Sequence, residues 1–145
     1  MRKIIVALIL VLFGASAFAK DQVTIRYRPG YPPPEQASES AELIVSRSGS
    51  TVGEPTEVDR YFTEIRRILK DGKVPPQWGY VTIDGDSIQV NISLDEQAYV
   101  LSFSYVGNNI ALPPNPSAAE KRIGTAIKAI VKLTSDRANA SFGIK

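Results

Sequence analysis

The sequence predicts an α+β fold: a single antiparallel sheet of 4–5 strands with two helices packed on one face. Three observations predict it. Residues 87–94 and 97–106 alternate apolar and polar side chains, the period of a half-buried strand. Residues 58–69 and 123–133 repeat apolar side chains at helical spacing. Clusters of Gly, Pro, Asn and Asp separate these stretches and supply the breaks between elements.

The chain opens with the pattern of an export signal. Arg2 and Lys3 precede the apolar run 4–13, and Ala17-Phe18-Ala19 forms an A-x-A cleavage site. The apolar run is shorter than the roughly 20 residues a spanning helix needs. No Cys follows it to accept a lipid. The expected organisation is a cleaved signal peptide over 1–19, an N-terminal strand and Pro-rich linker over 20–41, and a compact α+β domain over 42–145.

The first expected strand covers 23–28, where Val23, Ile25 and Tyr27 alternate with Thr24, Arg26 and Arg28. Pro29-Gly30 stops it, and Tyr31-Pro32-Pro33-Pro34 is extended because proline fixes φ. Whether 23–28 joins the main sheet is open at this point. A short strand over 42–47 precedes a Ser/Gly-rich loop. Thr56-Glu57-Val58-Asp59 offers a capping-box-like helix start, and Val58, Tyr61, Phe62, Ile65, Ile68 and Leu69 form one stripe. Arg60 and Glu64 lie one turn apart on its outer surface. Gly72 is placed to end this helix, and Pro75-Pro76 prevents its continuation.

Strands over 79–84, 87–94 and 97–106 are expected to form a meander, with turns at Asp84-Gly85-Asp86 and Asp95-Glu96. Ile88, Val90, Ile92 and Leu94 share one side, as do Tyr99, Leu101, Phe103 and Tyr105. Pro113-Pro114-Asn115-Pro116 stiffens the next connection. Ser117-Ala118-Ala119-Glu120 is a capping box, opening a second helix to about Asp136. Lys121, Lys128 and Lys132 stand on its outer side within about 40° of one another.

Composition excludes several chemistries. With no Cys and no His among 145 residues, the chain has no disulfide, thiolate nucleophile, Ser-His-Asp triad or imidazole ligand. No G-x-G-x-x-G, P-loop or Ser-x-x-Lys pattern is present. Paired acids at the Asp84 and Asp95 turns would lie about 20–25 Å apart at opposite ends of a strand, so they do not share a site. The expectation is a binding protein and not an enzyme, with no cofactor and no metal. The 17 basic residues exceed the 15 acidic ones only by Arg2 and Lys3, which leave with the signal. The remaining chain balances at 15 of each, which removes a global basic footprint for nucleic acid.

The expected protein-binding surface is the wet side of the sheet, bearing Gln89, Asn91, Ser93, Ser102 and Ser104. If Val81 and Ile83 face the core, Trp78 and Tyr80 join that side as anchors. The functional expectation is a small exported envelope protein, periplasmic or secreted from a bacterium after cleavage following Ala19. It would bind an envelope or secreted protein non-covalently, with an inhibitor or immunity-type protein as one concrete form. Alternatives are an accessory factor binding anionic surfaces through the lysine stripe, or a carboxylate-dependent hydrolase. No stable membrane anchor is expected after signal cleavage.

Overall fold

A computed structural model describes residues 21–28, 41–47, 55–82, 86–95, 97–106 and 109–137. The expected export signal, the Pro-rich segment, Asp84-Gly85 and Glu96 lie outside the described residues. The elements are β1 (Gln22–Arg28), β2 (Ala41–Ser46), α1 (Pro55–Asp71), β3 (Gln77–Tyr80), β4 (Ser87–Leu94), β5 (Gln97–Val106), β6 (Asn109–Ile110) and α2 (Ala118–Arg137). They build one mixed, six-stranded sheet in the order β2-β1-β4-β5-β3, with β6 also paired to β5. The α+β architecture is as the sequence predicts. The strand number is higher, and the sheet is not purely antiparallel.

β1 is an inner strand. It pairs antiparallel with β2, Ile25 opposite Leu43, and with β4, Ile25 opposite Val90. Val23 and Ile25 are fully buried among Val45, Val90 and Ile92. The N-terminal strand therefore belongs to the same core as the rest of the domain, which its apolar alternation allows but cannot dictate.

The expected meander is corrected. β4 and β5 form the predicted antiparallel pair, with Val90 opposite Leu101, but β3 runs parallel to β5 at its far edge. The reason is occupancy. β1 fills the free side of β4, leaving β3 only the outer side of β5. β3 and β4 are thus separated by β5 and do not form a hairpin. β3 also starts two residues earlier than expected and stops at Tyr80. Beyond that point the edge of β5 is taken by β6, and Ala111 N–H donates to the Ser104 carbonyl at 2.8 Å. Thr82 N–H turns instead to Ser104 Oγ at 2.9 Å.

Both helices cover one face of the sheet. Phe62, Ile65, Ile127 and Ile130 are fully buried in one cluster with Ile88, Val90, Leu101 and Phe103. The Ser117–Glu120 capping box forms reciprocally: Ser117 N–H donates to Glu120 Oε2 at 2.7 Å, and Glu120 N–H to Ser117 Oγ at 3.2 Å. On α1, Glu64 pairs with Arg67 and not with Arg60. The helix ends in a Schellman arrangement, with Val74 N–H donating to Leu69 O at 3.0 Å and Lys73 N–H to Lys70 O at 3.1 Å. Lys73, not Gly72, adopts the left-handed conformation, at φ 48°. Gly72 serves packing: a Cβ there would stand 2.5 Å from Ala126 Cβ of α2.

Candidate functional site

The side of the sheet that the described helices leave uncovered is built from the polar half of each strand's alternation, with Thr24 buried within it. Antiparallel and parallel partners place their side chains on the same side, so the register defines transverse rows. One row runs Ile44, Thr24, Asn91, Val100, Gln77. The next runs Glu42, Arg26, Gln89, Ser102, Gly79. Val100 is 39% exposed and Ile44, at the edge of the same row, is 50% exposed, so the first row offers hydrogen-bonding groups beside accessible apolar surface. Arg26 and Glu42 neutralise each other at 2.8 Å. Asn91, Val100, Gln89 and Ser102 form an uncharged centre.

The register divides the six residues proposed from sequence. Gln89, Asn91 and Ser102 lie together on the uncovered side. Ser104 lies on it by register, opposite Ser87, but is fully buried and holds Thr82 N–H. Trp78 and Tyr80 pair with Leu101 and Phe103, which face the helices. Trp78 packs against the core, and Val81, expected inward, is 52% exposed. The aromatic pair therefore stands on the opposite side from the polar residues. Nothing local in the sequence distinguishes the two registers, because shifting the alternation by one residue exchanges the faces.

The lysine stripe is partly engaged. Lys132 Nζ pairs with Asp136 at 2.6 Å, and Lys128 Nζ donates to Asn109 Oδ1 at 3.1 Å. Among the described residues no group of three or more acidic side chains is placed to hold a metal ion. No helix among them is long and apolar enough to cross a membrane.

A charged cluster that sequence reasoning missed lies at one end of the sheet. Asp21 is 6% exposed, and its Oδ2 accepts from Arg66 Nη2 at 2.8 Å and Arg47 Nη2 at 2.9 Å. Its Oδ1 accepts Asp95 N–H at 3.1 Å. Burial alone would raise the Asp21 pKa, but the Asp95 amide and the two guanidinium groups outweigh it and hold the carboxyl below its ordinary value. Arg47 also pairs with Asp59 and lies 5.4 Å over the Phe62 ring, while Arg66 reaches Asp95 at 3.3 Å. One carboxylate thus fastens β1 to the end of β2, to α1 and to the β4–β5 turn. These partners are scattered along the chain, so no local motif announces them.

Beside this cluster, α1 and the β4–β5 turn enclose a cavity of about 400 Å³. Leu69, Val74 and Leu94 form its buried floor, with Arg66, Lys70, Lys73, Asp95, Gln97 and Tyr99 around it. Arg66 and Lys70 lie one turn apart on α1, and Lys73 follows just past its end, so helical spacing makes only the first pair legible in the sequence. No family model, curated protein sequence or solved structure matches the chain.

Proposed function

We propose that the chain is an exported envelope protein that acts by non-covalent binding of another protein through the uncovered sheet face. The observation that carries this reading is the uncharged centre formed by Gln89, Asn91, Val100 and Ser102, flanked by exposed Ile44. Accessible aliphatic groups interleaved with amide and hydroxyl groups suit a protein surface that is itself neutral and mixed apolar and polar. A strongly charged partner would find no counter-charge in that centre, since Arg26 is paired with Glu42. An inhibitor or immunity-type role is the concrete form of this reading, and the export-signal pattern over 1–19 supports a partner in the envelope or outside the cell.

The test is capture from an envelope fraction at low and high salt, run in parallel for the wild-type chain and Val100→Arg. Binding that survives high salt in the wild type and is lost in Val100→Arg supports the reading. Identical capture by both proteins rejects this face.

A further inference from the structure

The cavity between the end of α1 and the β4–β5 turn has two positive charges that the fold does not use. Lys70 and Lys73 are exposed and make no ion pair among the described residues. A lysine at a helix C-terminus commonly answers the unpaired carbonyls of the last turn. Here the backbone already answers Ile68, Leu69 and Lys70 O, through Gly72, Val74 and Lys73 N–H. The two ammonium groups are left to border the cavity. Arg66, the third cation, is bound by Asp21 and Asp95, and the same contacts satisfy Asp95.

The cavity is therefore amphipathic in a specific order. Its floor is aliphatic, from Leu69, Val74 and Leu94, each at most 7% exposed. Its border carries Lys70 and Lys73, with Gln97, Tyr99 and the Asp95 carboxylate, held by Arg66, as further polar neighbours. A volume near 400 Å³ lies in the range of small-molecule sites. We infer that this cavity binds a carboxylate carried on a short aliphatic segment, with Lys70 and Lys73 holding the charge and the floor receiving the chain. A compact dianion such as phosphate would leave the floor unfilled. It would also find the Nη2 of Arg66 already taken by Asp21 and Asp95, which weakens a bidentate guanidinium grip. The carboxylate can belong to a free aliphatic acid or to the C-terminal residue of a peptide. The site lies on the helix side of the sheet, so it stands or falls independently of the uncovered face.

Amide-resolved NMR titration of the folded protein with hexanoate tests this directly. The expected result is saturable shifts at Val74, Leu94 and Gln97, with affinity reduced at least tenfold in the Lys70→Gln/Lys73→Gln double variant. Both lysines are exposed, so the variant keeps the wild-type fold and its spectrum elsewhere. Hexan-1-ol and inorganic phosphate, which carry the chain and the charge separately, should each bind at least tenfold more weakly than hexanoate. An acetylated dipeptide ending in a free leucine carboxylate distinguishes the sources: tighter binding than hexanoate assigns a chain end, and weaker binding assigns a free acid. Hexanoate shifts that are absent or centred elsewhere would overturn the inference. So would equal binding of hexan-1-ol, equal binding of phosphate, or unchanged affinity in the double variant.

Discussion

Trp78 pairs in parallel register with Leu101, which puts the chain's single tryptophan on the helix-covered side of the sheet. That pairing moves Trp78 from the proposed recognition surface into the packing of the core edge. Among the described residues the uncovered face is left with amide, hydroxyl and aliphatic groups and the Arg26–Glu42 pair, and without an aromatic anchor.

Trp78→Ala accordingly acts on stability. Because the side chain is only partly buried, the expected loss is about 2 kcal/mol, below that of a fully buried aromatic. Urea denaturation should show a lower midpoint, while affinity for the captured partner stays within about twofold. A large affinity loss with unchanged stability would return Trp78 to the binding surface.

Asp21 gives the protein an acid-sensitive fastening. Its native pKa lies below its ordinary value, so its contribution is complete above about pH 4 and drains away as the pH falls through the native value. Asp21→Ala should cost about 2 kcal/mol at pH 7, less than a fully buried pair, because Arg47 and Arg66 retain solvent contact. The stability gap between wild type and variant should narrow as the pH falls below about 4. Parallel denaturation curves from pH 7 to pH 2 provide the measurement, and a constant gap across that range would contradict the fastening.

Gly72 and Lys73 should respond oppositely to exchange of their chemistry. Gly72→Ala drives a methyl against Ala126 and should cost about 2 kcal/mol through overpacking. Lys73→Gly relieves a left-handed lysine and should raise stability by up to about 1 kcal/mol. Thermal unfolding of the two variants would show shifts of opposite sign.

Two tyrosines predict another contrast. Tyr61 Oη shares a 2.8 Å hydrogen bond with Thr134 Oγ1, whereas Tyr105 Oη is buried without a partner among the described residues. Tyr61→Phe should lose about 1 kcal/mol. Tyr105→Phe should be neutral or stabilising, because it removes an unsatisfied hydroxyl whose burial holds the pKa at about 12. Denaturation midpoints of both variants check the pair, and a loss in Tyr105→Phe equal to that in Tyr61→Phe would contradict the assignment.

The sequence was legible wherever a periodicity is local. The stripe from Val58 to Leu69, the Ser117–Glu120 capping box, and the alternation from Ile88 to Leu94 all reappear in the fold. Pairing was not legible, because the local pattern of β3 is compatible with β4 or β5 as neighbour. Its position follows from β1 occupying the other side of β4, a contact between distant parts of the chain. The candidate surface was legible at Gln89, Asn91 and Ser102, whose alternation is unambiguous. The side that Trp78 and Tyr80 take is open in the sequence, because their short strand has too few residues to fix a face, and the pairing with Leu101 and Phe103 decides it. Lys73 illustrates a finer limit: glycine is the usual left-handed residue at a helix end, yet helix packing reserves Gly72 for the approach of Ala126.

Binding through the uncovered face is tested most directly by measuring the affinity of the captured partner for wild-type protein and for Val100→Arg. Val100 sits between Asn91 and Gln77 in the face and contributes nothing to the helix-covered core, so the variant should remain folded. The account predicts an affinity loss of about 100-fold or more, since an unpaired charge would be buried at the centre of a neutral interface. Unchanged affinity in a folded Val100→Arg protein would contradict recognition through this face.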